Sequence, residues 1–271
     1  MSKEGFKKPY HNYIEDWTTF RANSDEKQVI AEWLLSQNAW PKKNPFSITD
    51  FGCGDGKVAA QVILSAPRDG NHARSIALVD PDQRFLEAAC QHLRDVLPPN
   101  RENHCELASY QHRVGSAPAK CFESDVLLLI HVVYLMPTSE FRGLLRKVKP
   151  GSALYIILDH PKSVFSQLWK ETAPKYLARV EKTHSLIAEL SATEFHVRRS
   201  LPEQLISRFR KSALDDHLIG PRLISMLCYD DKLDIGRDER FKTLFWNIVN
   251  KQSNSHVNCR SVGYEIIRKI E

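Results

Sequence analysis

The sequence predicts an α/β domain: a mostly parallel sheet, helices on both of its faces, and an antiparallel strand at one edge. Three observations carry that prediction. Strand-like and helix-like segments alternate from Phe46 to His160, the rhythm of stacked βαβ units. Two of the strand-like runs, "SDVLLLIHVV" and "SALYIILDH", are nearly continuous in apolar residues and suit strands covered on both faces. The first strand-to-helix turn, "DFGCGDGK", holds glycines at 52, 54 and 56, and a backbone that bare lets a ligand come close.

Residues 1–44 are polar and aromatic-rich, and they read as a helical lid ahead of the sheet. In "SDEKQVIAEWLL" Ser24 is the expected N-cap, and Val29, Ile30, Trp33 and Leu34 fall at helical spacing. Pro41 and Pro45 close this piece. The main domain, 45–271, follows. "FSITDFG" reads as a strand and "KVAAQVILSA" as a helix. "SIALVD" is the second strand, and "PDQRFLEAACQHLRDV" is a helix with Pro81 suited to its first turn. "NHCELAS" is a weak strand. "SDVLLLIHVV" is a buried strand, and "TSEFRGLLRKV" is a helix stopped by Pro150-Gly151. "SALYIILDH" completes the parallel set.

After about residue 160 the rhythm loosens into substrate-side elements. "SVFSQLWKETAPKYL" and "LPEQLISRFRKSAL" read as helices. "PRLISMLCY" and "SVGYEIIRKI" read as strands that pair antiparallel at one edge, with the helix "DERFKTLFWNIVNK" between them. The basic run "EFHVRRSLPEQLISRFRK" reads as a solvated helical face, because its cations lack the interleaved aromatics of a nucleic-acid platform.

Composition bounds the class. The chain has 271 residues, a formal charge of +5 and a pI of about 8.8, enough chain for one large α/β domain with a substantial core. The mild basicity permits an anionic ligand without demanding one. Six cysteines form no Cys-x-x-Cys pair, so a reduced, cytoplasmic setting is expected. "MSKEGFKKPYHNY" has no apolar signal segment, and "VLLLIHVVYLM" is too short to span a bilayer. No metal site is expected, since His92, His104, Cys105 and His112 match no zinc spacing.

The glycine turn excludes several ligands. Its spacing is not G-x-G-x-x-G, because Lys57 stands where the third glycine would be, so a dinucleotide pyrophosphate is disfavoured. Gly56-Lys57 is followed by Val58, which fails the P-loop ending. "DFG" occurs without the other kinase motifs. Asp80 ends the second strand in "IALVDPD", where a carboxylate can accept hydrogen bonds from both hydroxyls of a ribose.

Asp-x-Gly-x-Gly-x-Gly with this acid resembles the class I S-adenosylmethionine-dependent methyltransferases. The resemblance implies their Rossmann-like fold, S-adenosyl-L-methionine as cofactor and S-adenosyl-L-homocysteine as product. It implies that Gly52, Cys53, Gly54 and Gly56 line the methionine and ribose portion, and that Asp80 grips the ribose diol with Pro81 beside it. Ser109 and Ile130, at the ends of the third and fourth strands, complete the implied cofactor set.

The flanks resemble the histamine N-methyltransferase family in "YIEDWTTFRANSDEKQVIAEWL", in "LIHVVYLMPTSEFRGLLRKVKPGSALYIILDHPKSVFSQLWKETAPKY" and in "LCYDDKLDIGRDERFKTLFWNIV". This implies methyl transfer to a small-molecule acceptor, an amine nitrogen, with no nucleic-acid or membrane partner. Glu26 falls where that family places its substrate-amine carboxylate, although a helix's first turn favours a carboxylate on dipole grounds alone. His131 replaces a family Gln. It is a candidate general base, and a lone His in an apolar strand is also a common core residue. Tyr13, Trp17, Phe20, Tyr134 and Trp169 are candidate aromatic walls. Near the end, Cys259 or Arg260 stands where the family has Asn. An Arg260 in the site would suit an anionic group better than a compact cationic amine. The alternatives are transfer to RNA or protein, or a methyltransferase-like binding protein without catalysis. Whether Glu26 or His131 is the base stays open.

Overall fold

The computed structural model describes residues 12–41, 45–65, 73–97, 105–201, 203–230, 238–251 and 255–269. The sheet is built outward from Phe46–Phe51 (β1), which is buried along its whole length. On one side of it lie Ala73–Val79 (β2) and Glu106–Tyr110 (β3); on the other lie Val126–Ile130 (β4) and Ala153–Asp159 (β5). All five are parallel. Lys57–Ser65 (α3), Gln83–Val96 (α4) and Thr138–Lys147 (α5) fall between them in sequence. This is the doubly wound α/β arrangement that the strand–helix alternation predicts.

Among these five the strand order is β3-β2-β1-β4-β5. It reverses between β1 and β4, so the crevice outside their carboxyl ends is the natural ligand site. Phe51 pairs with both Val79 and Leu129, which brings the ends of β1, β2 and β4 to one level. Both faces of the sheet are covered. Leu127 and Leu129 of β4 belong to one core, Val126 and Leu128 to the other. That two-sided burial is why "VLLLI" shows no polar alternation.

Two helices precede the sheet, Tyr13–Asn23 (α1) and Glu26–Ser36 (α2). Residues 1–11 and 42–44 of the expected lid lie outside the described residues. Asp25, not Ser24, is the cap residue of α2. Its carboxylate accepts instead from the Arg208 N–H, and Ser24 bridges to Phe209. Thus the chain between α1 and α2 is held by a strand rather than by a Ser24 cap. Pro81 likewise stands outside its helix: Asp82 caps α4 by accepting from the Arg84 N–H at 3.0 Å. The strand "SDVLLLIHVV" stops at Ile130, because His131 turns the chain with φ +55°.

The second half departs further from expectation. "SVFSQLWKETAPKYL" is split into Val164–Thr172 (α6) and Pro174–Leu190 (α7), since Pro174 begins a new helix. "LPEQLISRFRKSAL" is not a helix but contains the strand Ile206–Arg210 (β7). Leu205, Ser207 and Phe209 are buried while Arg208 and Arg210 are exposed, a period of two. "PRLISMLCY" is not a strand but the helix Gly220–Cys228 (α8). Leu223, Met226 and Leu227 make its buried stripe, and Tyr229 ends it in the left-handed conformation. The helix Glu239–Asn250 (α9) stands where expected, with Asp238 as its cap.

The antiparallel strand is His256–Arg268 (β8). It pairs with β5 but is not the rim. Phe195–Arg199 (β6) and β7 lie outside it, both antiparallel to it. The basic run is therefore two strands with exposed arginines, not a helical face. Among the described residues no helix is long and apolar enough to cross a membrane.

Candidate functional site

Two spaces open at the carboxyl ends of β1, β2 and β4. The larger is a cleft of about 590 Å³ lined by Tyr13, Gly54, Asp80, Pro81, Phe85 and Val114, among others. The smaller is an inner void of about 30 Å³, room for about one water. Trp17, Gly52, Ile130 and His131 line both, so they form the junction.

The turn after β1 shapes the cleft floor. Gly52, Gly54 and Gly56 all have positive φ, near +69°, +52° and +69°. A Cβ on Gly52 would stand 2.5 Å from Val132 Cγ2, and one on Gly54 would stand 2.5 Å from Trp17 Cη2. These two glycines let the segment after β4 and helix α1 approach the turn. Gly56 plays a different part. It lines neither space, and its Cβ would strike Ala89 of α4 at 2.7 Å, so it serves helix packing. Cys53 lines the void; burial, then Asp50 and Asp80, push its thiol well up, which keeps it neutral.

Asp80 closes the cleft beside the turn. Its Oδ2 accepts from the Gly54 N–H at 3.1 Å and its Oδ1 from the Asp82 N–H at 2.9 Å. Burial raises its pKa from 3.8 to about 6, against the lowering effect of those two N–H groups. Ser109 does not join it. Ser109 is exposed on β3, and the segment that reaches the cleft from that side is His112–Val114.

The void is walled by aromatic rings and filled with charge. Phe20, Tyr134, Phe165 and Trp169 line it. Trp169 stands 6.1 Å from Tyr134 and 4.8 Å from Tyr229, centroid to centroid. The phenols of Tyr134 and Tyr229 are driven well above their ordinary value, first by burial, and so stay neutral. Tyr13 lines the cleft, and its hydroxyl accepts from Tyr229 Oη at 3.3 Å.

Glu26, Asp50 and Asp159 bring three carboxylates to the void, with Arg21 and His131 among them. His131 Nε2 lies 3.5 Å from Glu26 Oε1, and its Nδ1 lies 3.5 Å from Asp159 Oδ2. Arg21 Nη1 meets Asp55 at 3.3 Å and Arg21 Nε meets Glu26 at 3.8 Å. The guanidinium also stacks over Trp17 at 4.3 Å. Arg21 Nε and Nη2 and the Trp169 indole N–H are buried without a hydrogen-bond partner, which is uncommon for groups so costly to leave unmade. Burial raises the Asp50 pKa from 3.8 to about 7, with Arg21 opposing. Asp55 is lowered although burial acts against it, because Arg21, Lys27 and Lys57 outweigh that cost.

Arg260 is not in either space. Strand alternation buries Cys259 and turns Arg260 away. Electrostatically Cys259 is felt by Glu26 and Asp159, whereas Arg260 acts on His160 together with Arg199 and Lys162. The sequence reading missed Arg21, Asp50, Asp159, Phe165 and Met226. Two of these carried a signal: Asp159 ends β5 as Asp80 follows β2, and Asp50 precedes the glycine turn. Arg21, Phe165 and Met226 carried none.

No family model matches the chain, and no curated protein matches it. Solved structures do. The plantazolicin methyltransferase BpumL, in complex with a monoazolic desmethylPZN analog and SAH, matches at 14% identity with a TM-score of 0.51, over 96% of this chain and 88% of that one. The YcgJ protein from Bacillus subtilis matches at 10% identity with a TM-score of 0.54, over 90% and 99%. The small RNA methyltransferase HEN1 matches at 13% identity with a TM-score of 0.52, over 90% of this chain but 26% of that one. The chain shares with them the Rossmann-like α/β fold.

Proposed function

We propose that this chain transfers a methyl group from S-adenosyl-L-methionine to a small amine. The observation that carries the reading is the Gly54–Asp80 contact at the mouth of a cleft of about 590 Å³, a volume usual for a small-molecule site. Each Asp80 oxygen accepts one backbone N–H and keeps lone-pair capacity, so the pair of oxygens can take a ribose diol. The Arg21 Nε and Nη2, buried without a hydrogen-bond acceptor, and the Asp50 carboxyl group suit the carboxylate and ammonium of the amino-acid arm. The fold is one in which such neighbours as BpumL were crystallised with SAH. When bound, the cofactor supplies a methyl already activated on a sulfonium.

The protein's own work is then to position and to exclude water. Glu26 and Asp159, with a wall of aromatic faces around them, suit an amine acceptor better than an anionic one. The void is too small for any acceptor as it stands. We read α1 and α2 as the lid: Trp17, Phe20 and Arg21 come from α1, Glu26 from α2, and a shift of these helices enlarges the void. The placing of Glu26 at the void supports a resemblance to histamine N-methyltransferase in acceptor chemistry. Arg260 lines neither space, so the expectation of an anionic group beside it is not carried into this reading.

The test is a methyl-donor assay over a panel of small amines, imidazoles, phenols and thiols, with small RNA and azole-containing peptides as further arms. Turnover on amines is expected. Turnover on RNA or peptide with none on amines would replace the acceptor class and keep the methyl transfer.

A further inference from the structure

The ring of His131 sits between two buried carboxylates that come from different elements. Asp159 Oδ2 is 3.5 Å from Nδ1, and Glu26 Oε1 is 3.5 Å from Nε2. Ser261 Oγ adds a contact of 3.4 Å to Nε2. The backbone is fixed in support. The His131 N–H donates to the Ile157 carbonyl at 3.0 Å. Its φ of +55° is a conformation that a residue with a Cβ keeps only where its surroundings impose it.

A neutral imidazole offers one N–H and one lone pair. With a carboxylate at each nitrogen, one carboxylate must face a lone pair. Protonation of the ring relieves this mismatch. So does an N–H donor from a bound molecule placed between Nε2 and Glu26. The first response is already present in part: burial works against the imidazolium, but Asp159 and Glu26 outweigh it and raise the ring's pKa. The second response specifies a ligand. Asp159 ends β5 and holds Nδ1, so the neutral ring keeps its proton there and offers its lone pair at Nε2.

We infer that His131 is the general base, that Asp159 is its positioning residue, and that the acceptor is a primary or secondary amine bridging His131 Nε2 and Glu26. This rests on the methyl-transfer reading above. The nitrogen lone pair forms the new N–C bond to the methyl. The C–S bond of the sulfonium donor breaks, and its electron pair stays on sulfur. The proton leaves the nitrogen for His131 Nε2, and the imidazolium is then flanked by two carboxylates. A neutral tertiary amine has no N–H for the bridge.

The groups acting on the ring's charge are Arg21 of α1, Glu26 of α2 and Asp159 of β5. Tyr134 and Cys259 lie near the same carboxylates and are kept neutral, first by burial. Asp50 also lines the void and has a pKa raised to about 7, so a rate profile alone would mix two groups. The experiment therefore observes the ring directly, by ¹⁵N-histidine NMR of the full chain across pH. It is paired with turnover of 2-phenylethylamine and of its N,N-dimethyl derivative. The resonance absent from His131→Gln should titrate above the ordinary value of about 6.5, with its neutral proton on Nδ1. Asp159→Asn should lower that midpoint and cut kcat by about 10²-fold with KM little changed. Asp159→Glu should restore part of the rate, and the dimethyl amine should not react. A midpoint unmoved by Asp159→Asn, a change confined to KM, or equal rates on both amines would overturn the inference. If the chain binds S-adenosylmethionine but methylates no amine, the base and acceptor assignments fall while the cofactor reading stands. If it binds none, the methyl-transfer reading falls and takes the inference with it.

Discussion

The Gly54 N–H donates to Asp80 Oδ2 across 3.1 Å, tying the turn after β1 to the end of β2. Asp80→Ala removes that acceptor and the Oδ1 that accepts from Asp82, leaving two N–H groups unmet. We predict that it weakens S-adenosylmethionine binding by about 10²-fold, the scale of one or two hydrogen bonds to a charged group, measured by calorimetry. Affinity in the wild type should rise between pH 5 and 7, because burial has raised the Asp80 pKa to about 6 and the ionised form is the better acceptor for a diol. A pH-independent affinity would count against this role.

Gly54 and Trp17 are in mutual contact, and this makes a steric prediction. Gly54→Ala places a Cβ against the indole at φ +52°. The conformational cost is about 1–2 kcal/mol, and Trp17 must move as well. Trp17→Leu in the same chain should recover the steric part of the loss and not the conformational part. Gly56→Ala should lower the melting temperature through Ala89 of α4 while disturbing ligand affinity less than Gly54→Ala does. Equal losses of affinity at both glycines would contradict the division of roles.

Arg21 offers two buried nitrogens, Nε and Nη2, without a hydrogen-bond acceptor. Arg21→Met should lower the affinity for S-adenosylhomocysteine by about 10-fold or more. It should leave 5′-methylthioadenosine, which lacks the carboxylate, nearly unaffected. A parallel loss for both ligands would mean that Arg21 acts through its ion pair with Asp55, on the fold and not on the ligand.

Asp50 gives a stability prediction with a definite sign. Its pKa in the fold is raised above the ordinary 3.8 to about 7, chiefly by burial. A raised pKa means stability that is present below the unfolded value and lost as pH climbs through the folded one. Asp50→Asn removes that loss, so the variant's melting temperature should gain on the wild type between about pH 4 and 7 and hold its lead above that, at about 2–4 °C per kcal/mol. Thermal denaturation across that range checks it. A constant gap would show that Asp50 does not titrate there.

The first half of the fold was legible because its code is short-range. "VLLLI" and "ALYIILD" are apolar enough to require two-sided cover, and the glycine turn marks its own place. The second half was misread where two periods coexist in few residues. In "LISRFR" Leu205, Ile206 and Phe209 imitate a helical stripe, but pairing with β8 selects the alternation of Leu205, Ser207 and Phe209 instead. In "PRLISMLCY" the apolar density suggests a strand, yet Gly220-Pro221 opens a helix whose Leu223, Met226 and Leu227 share one face. At the site, residues in motifs were found and residues from packing were not. Arg21 reaches the void only because α1 lies against the glycine turn. Arg260 was misplaced by one residue of β8, and one residue in a strand reverses the face.

The most direct measurement is a calorimetric titration of the full chain with S-adenosylmethionine, repeated on Asp80→Ala. Saturable 1:1 binding is expected of the wild type, and binding weaker by about 10²-fold of the variant. No heat of binding at millimolar cofactor, or equal binding by the two proteins, would contradict it.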